Sequence, residues 1–254
     1  MTPTRSIGRE SDPMASSYAK EMNREEFAAA IKKNPVVVLP IGSMEEHGTH
    51  LPLGSDTFEI DFVIDRLTKK LDLLVLPTIN YGNCGSTYNF PGTISISFET
   101  LKALIVDILS EVVRHGGKRI LVISGHAGSN HMVAMRQAAQ MTVKEHPKLR
   151  IMVMSDYDLV PEYKGGNIPS WDGHAGKAET SRMLNIRPDI SKRGKVATKA
   201  RYQEYVVLPN PEIQFPTGVS GDPRKASAEL GKKIDDYVLK RLITLIKKNL
   251  GSGD

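Results

Sequence analysis

The chain has 254 residues, enough for one substantial core, and a formal charge of +5 from 34 basic and 29 acidic residues. The basic residues are spread out, with short runs only around Lys192–Lys195 and Lys240–Arg241 and no interleaved aromatic residues, so no nucleic-acid platform is expected. One cysteine, Cys84, excludes a disulfide framework or a thiolate-rich zinc site and leaves N and O ligands for any metal, while no run approaches the roughly 20 apolar residues of a membrane span.

Residues 1–17 are rich in Ser, Pro, Thr and charge and lack the apolar stretch of a signal peptide. They are expected to be a disordered extension ahead of a single domain over 18–254, in a cytoplasmic protein. Asn23 followed by Glu26 predicts a capping box and a short helix through Phe27 to Lys33. Val36-Val37-Val38-Leu39-Pro40-Ile41 is apolar without alternation, which predicts a strand covered on both faces. From Asp56 a helical spacing runs through Ile60, Val63, Leu67 and Leu71, followed by a strand over Leu73–Pro77 and a Gly/Asn/Ser-rich loop over Asn80–Thr93.

Leu101, Leu104, Ile105, Ile108, Leu109, Val112 and Val113 predict an amphipathic helix that Gly116-Gly117 ends, before a strand over Arg119–Ile123. A helix over about Asn130–Lys144 and a strand over Arg150–Met154 follow, with Asp156 and Asp158 at the strand's exit. This alternation predicts an α/β fold, a three-layer α/β/α sandwich with a mostly parallel central sheet and right-handed connections. Beyond Leu159 come a Pro/Gly loop to Asp172, a helix from about Ala175 to Leu184, an irregular stretch with one or two strands, and a helix over Lys225–Lys248.

Two clusters sit where predicted strands end, the place at which open α/β sheets build their sites. Glu45 and His47, two apart on an extended segment, face the same way and are expected to converge on one ion; Asp56, nine residues after His47, is either a further ligand or a helix cap. Glu46 and His50 read as supporting groups. His126 stands between Gly125 and Gly128, where the rival reading is a phosphate-cradling loop, although the lysine of such a loop is missing. His174 and Glu179 near a helix start read alone as a cap and a dipole partner. Cys84 has no evident base beside it and reads as a small neighbour residue, not a nucleophile.

Taken together these segments resemble the creatininase (creatinine amidohydrolase) family over roughly residues 35–185. The matching stretches are Gly42-Ser43-Met44-Glu45-Glu46-His47-Gly48-Thr49-His50-Leu51-Pro52 with Asp56, Asn89-Phe90-Pro91-Gly92-Thr93, Gly125-His126 with Asn130, and His174-Ala175-Gly176 with Glu179-Thr180-Ser181. The resemblance implies two divalent ions bridged by Asp56, one held by Glu45 and His126 and the other by His47. Creatininase completes the second site with a glutamate where this chain has Gly128, so Glu179 is the candidate replacement ligand, or a residue that orients His174.

It further implies hydrolysis of the C–N bond of a small, cyclic amide or formamide by metal-activated water, with His174 passing a proton to the leaving nitrogen. Implied substrate contacts are Cys84, Ala127, Trp171 and Asp172. Zn²⁺ is the expected ion, with Mn²⁺ or Fe²⁺ as alternatives, one or two per subunit, and the assembly expected is a homo-oligomer, a hexamer by resemblance. A lactone hydrolase, a peptidase of the same family and a non-catalytic metal- or ligand-binding protein are the competing readings.

Overall fold

A computed structural model describes residues 16–201 and 203–251. Of the expected N-terminal extension, residues 1–15 lie outside the described residues; Ser17 is tied to the sheet, its carbonyl accepting from the Val75 N–H at 2.8 Å. The sheet has the strands β1 (Val36–Ile41), β2 (Leu73–Val75), β3 (Arg119–Ser124) and β4 (Arg150–Ser155), ordered β2-β1-β3-β4 and all parallel. Register pairs Val36 with Leu73 on one side and with Arg119 on the other, so the apolar β1 run lies inside the sheet, buried at every residue.

Alternate β1 residues enter two cores. Val36 and Val38, with Leu121 and Ile123 of β3, pack under α2 (Ser55–Thr68) and α6 (Ala228–Leu250), beside which α5 (Lys177–Ile186) lies. Val37, Leu39 and Ile41, with Ile120 and Val122, pack under α1 (Arg24–Lys32), α3 (Phe98–Arg114) and α4 (Ser129–Glu145). The expected three-layer sandwich results, with period-2 side chains of each central strand supplying both interfaces.

Three local differences from the expected elements have identifiable causes. β2 stops at Val75, two residues before Pro77. α5 begins at Lys177, not Ala175, because Ala175 sits at φ 50°, in the left-handed region. α6 begins at Ala228, after a 3₁₀ turn over Pro223–Lys225, with Ser227 accepting from the Leu230 N–H. In the irregular stretch the described residues hold no full strand, only an isolated bridge between Thr198 and Gly221.

β1 and β3 end side by side beneath the first turn of α2. Gly125, which follows β3, would place a Cβ against the backbone of Asp56, so a glycine there lets α2 come down onto the strand ends. That close approach puts Asp56, the second residue of α2, between the loops leaving both strands.

Candidate metal centre

Glu45, His47, Asp56, His126, His174 and Glu179 converge at those strand ends, although they come from four separate stretches of chain. Asp56 is shared: its Oδ1 is 3.3 Å from His47 Nε2 and its Oδ2 is 3.2 Å from His126 Nδ1. On one side Glu45 Oε2 lies 2.9 Å from His126 Nδ1. On the other, Glu179 Oε1 lies 3.5 Å from His47 Nε2. Glu45 and His47, expected to face one ion, do come together with His174, the three offering ligand atoms within 4.8 Å of one another, while the nearest ionic partner of each lies on a different side of Asp56.

Each of these groups is braced by a hydrogen bond from outside the cage. Thr87 donates its hydroxyl proton to Glu45 Oε1, Ser43 donates to Asp56 Oδ2, and the Ala175 N–H donates to Glu179 Oε2. His47 Nδ1 donates to the Glu45 carbonyl at 3.0 Å and His126 Nε2 to the Asn83 carbonyl at 3.1 Å, tautomers assigned from those carbonyl partners. The nitrogens left over, His47 Nε2 and His126 Nδ1, are the ones that face the carboxylates. A carbonyl fixing one imidazole nitrogen so that the other presents its lone pair is the usual support for a metal-binding histidine.

The electrostatics demand positive charge in this space. Burial opposes ionisation of Glu45, but the charges of His126 and then His174 override it and take its carboxyl down to about 2. Burial likewise opposes a charge on Asp56, which His47 and His126 hold well below its ordinary value. Burial would strip the proton from His47, yet Glu179 and Asp56 raise it well above 6.5; His126 is raised the same way by Glu45 and Asp56. Glu45 Oε2 and His47 Nε2 are buried without a hydrogen-bond partner. With the lone pair of a neutral His126 aimed at Glu45 Oε2, only a proton or a cation between them makes the contact favourable. The donor set, carboxylate oxygens and imidazole nitrogens, suits a divalent ion. His47, Asp56 and Glu179 form one buried trio whose ligand atoms lie within 4.8 Å of one another.

Gly128, at the position of the missing glutamate, has no room for a side chain: a Cβ there would meet His126 Nε2. His174 completes the face. Its Nε2 donates to the Glu46 carbonyl at 2.7 Å, its ring centroid is 4.4 Å from that of His47, and it lines a cavity of about 270 Å³. Glu45, Asp56, His126, Ala127, Gly128, Tyr157, Phe215 and Ser220 also line it.

The other expected substrate contacts fall differently. Ala127 is on the cavity wall, whereas Trp171 is 36% exposed and Asp172 is turned away from the cavity, its carboxylate accepting from the Lys177 and Ala178 N–H groups at the start of α5. Cys84 is fully buried, and burial with the Glu45 charge pushes its thiol up to about 12. His50 bonds Thr180 and Glu46 accepts from the Gly48 N–H, so both brace the loop.

No pattern in the chain singles out Asn83, Thr87, Tyr157 or His131 as part of the site. Burial, with the His126 charge second, takes His131 down to about 3. Neutral His131 accepts from the Asn83 N–H and donates to Ser124 Oγ, which in turn accepts from the His126 N–H.

The fold and site define an α/β protein with a buried imidazole–carboxylate cage, suited to divalent cations, at the carboxyl ends of its central parallel strands. The chain belongs to the creatininase family, whose model, described as creatinine amidohydrolase, matches residues 20–246. Creatinine amidohydrolase of Pseudomonas putida is 27% identical over 256 residues, which cover 92% of this chain and 97% of that protein. Mycofactocin precursor peptide peptidase of Mycolicibacterium smegmatis is 31% identical over 214 residues, 79% of each chain. A manganese form of creatininase superposes with a TM-score of 0.84 at 26% identity, covering 93% of this chain and 99% of that one. These relatives are hydrolases. No helix among the described residues is long and apolar enough to cross a membrane.

Proposed function

We propose that this chain is a metal-dependent amidohydrolase that cleaves the C–N bond of a small, cyclic amide or formamide. The observation that carries the reading is the sharing of Asp56 between the Glu45–His126 pair and the His47–Glu179 pair, with His174 beside them on the cavity wall. Glu45, Asp56 and His126 would hold one divalent ion, and His47, Asp56 and Glu179 a second, with Glu179 supplying the carboxylate that Gly128 does not. Zn²⁺ is the first choice for this set and Mn²⁺ or Fe²⁺ the alternatives. Such an ion supplies a Lewis acid for the carbonyl and lowers the pKa of water towards neutrality.

The chain's own groups do the rest. The cavity admits a small molecule. His174 is held through Nε2, which leaves Nδ1 to carry a proton; burial and the His47 charge oppose that charge, and Glu45, with Glu46 and Glu179 behind it, raises it above 6.5. A histidine that keeps its proton near neutrality can hand it to a departing amine nitrogen. Tyr157, kept protonated by burial and the Glu179 charge, offers a hydroxyl on the same wall. A short peptide is the second substrate class, favoured by the 31% identity to a peptide peptidase. The assembly proposed is a homo-oligomer.

The test is turnover by zinc-replete protein of a panel of cyclic amides, formamides, lactones and short peptides, with metal content measured on the same sample. His174→Gln is expected to lower kcat by about 10²–10⁴ while leaving metal content unchanged. Failure of the metal-replete protein to hydrolyse any amide or formamide would sink the proposal, and turnover confined to lactones or peptides would replace the substrate class.

A further inference from the structure

The Glu45 side of the centre has a neighbour that no role above uses. Cys84 is fully buried, and Glu45, Cys84 and His126 each offer a ligand atom such that the three lie within 4.8 Å of one another. The loop that carries Cys84 already serves this half of the site at two other points. The Asn83 carbonyl turns His126, and the Thr87 hydroxyl holds Glu45 Oε1 so that Oε2 points inward. Cys84 itself is pinned by its N–H, which donates to Ser95 Oγ at 2.9 Å. Residues 83–87 therefore orient an imidazole and a carboxylate and bring a sulfur to the same point.

A second feature of that point calls for a cation. Glu45 is 1% exposed, and among the described residues its Oε2 has only His126 Nδ1, 2.9 Å away, as a polar neighbour that can satisfy it. A buried carboxylate oxygen opposed to an imidazole nitrogen needs something positive between them, a proton on His126 in the metal-free protein or a metal ion in its place. Around a tetrahedral ion with bonds of about 2.0–2.3 Å the ligand atoms stand about 3.5 Å apart, inside the 4.8 Å that bounds the spacing of this trio.

We propose that Cys84 is a thiolate ligand of the metal position formed by Glu45, Asp56 and His126. The inference rests on the reading of the cage as a metal centre. On binding, the S–H bond breaks, its electron pair forms the sulfur–metal bond, and the proton leaves to solvent. Two consequences follow. A soft sulfur in an otherwise hard set selects zinc, or cobalt in its place, over manganese. With Asp56 as well, this position would have four protein ligands, which would leave the open coordination position to the His47, Asp56 and Glu179 side, beside His174. A single cysteine cannot make a thiolate-rich site, but its place in the fold lets it contribute one ligand to a mixed one.

The test uses cobalt as the probe. The full chain is stripped with chelator and titrated with Co²⁺ while its absorption spectrum is recorded. Expected are visible d–d bands with a near-ultraviolet thiolate-to-cobalt charge-transfer band, the latter lost in Cys84→Ser, together with about a tenfold fall in the preference for zinc over manganese. Wild-type protein that shows d–d bands without the charge-transfer band overturns the thiolate ligand and leaves the metal centre standing, with no variant needed. A charge-transfer band that persists in Cys84→Ser overturns it equally. A chain that binds no cobalt at all overturns both the metal centre and the role of Cys84 in it.

Discussion

A Cβ on Gly128 would run into His126 Nε2 and stand 3.3 Å from the Asn83 carbonyl, the two partners whose hydrogen bond aims His126 Nδ1 at Glu45 and Asp56. Gly128 has φ −57°, a value open to any residue, so backbone strain adds nothing and the contact alone decides the outcome. Gly128→Ala is accordingly expected to weaken metal binding by about 10–100-fold with little change in the stability of the metal-free fold. Metal content after equilibrium dialysis checks this; undiminished affinity would detach position 128 from the centre. The same contact means that Gly128→Glu does not recreate a creatininase-like ligand without displacing His126. At this scale Glu45, Asp56 and His126 were legible because acidic and imidazole groups at strand ends carry a chemical meaning of their own. Thr87, Ser43 and Asn83 were not, because hydroxyls and a backbone carbonyl acquire meaning only from what they touch.

Beneath the cage a second polar layer joins the helices that bear it. Arg182, three residues after Glu179 on α5, is fully buried and pairs with Glu59 of α2 at 2.7 Å, Asp156 after β4 at 2.5 Å and Asp235 of α6 at 2.7 Å. Glu59 is itself three residues after Asp56, so one guanidinium ties α5 to α2 directly below two residues of the cage. Arg182→Met leaves three buried carboxylates without their cation and is expected to cost about 3–5 kcal/mol. The loss should depend on pH in a defined direction. Burial already raises Glu59, Asp156 and Asp235 above their ordinary values against the pull of Arg182. A carboxyl raised in the folded state binds more protons there than when unfolded, so stability falls as pH rises through that window. Denaturant unfolding should therefore show the Arg182→Met deficit shrinking towards about pH 4.5 and growing above it; a deficit independent of pH would contradict the account. Legibility differs at this scale. β1 and β3 were readable as apolar runs covered on both faces, and α3 from its spacing. The start of α5 differs from the expected one by two residues because nothing in His174-Ala175-Gly176 announces a left-handed alanine, and no local pattern singles out Arg182, whose partners come from three distant elements.

For the whole molecule, metal and protons compete for the same cage, and the sign of that competition can be worked out. In metal-free protein His47 and His126 are raised well above 6.5 and His174 is raised, so the stability they contribute is fully present below about pH 6.5 and is lost as pH climbs through their folded values. Glu45, Asp56 and Glu179 are lowered, so their contribution is present above the ordinary carboxylate range and is lost as pH falls through their folded values. A divalent ion replaces the imidazole protons on His47 and His126, which makes metal affinity rise with pH over the window in which the metal-free fold weakens. The Tm difference between metal-loaded and chelator-treated protein is therefore expected to widen steadily from about pH 5.5 to about pH 8. At a free metal concentration of 100 times Kd the loaded form gains about 2.7 kcal/mol by mass action, several degrees for a chain of this size. The difference is the useful quantity because the Arg182 cluster and surface charges titrate alike in both forms and cancel. A gap that stays constant or narrows over this range would mean that the imidazoles do not give up protons to a metal, and that the cage is a salt-bridge network instead.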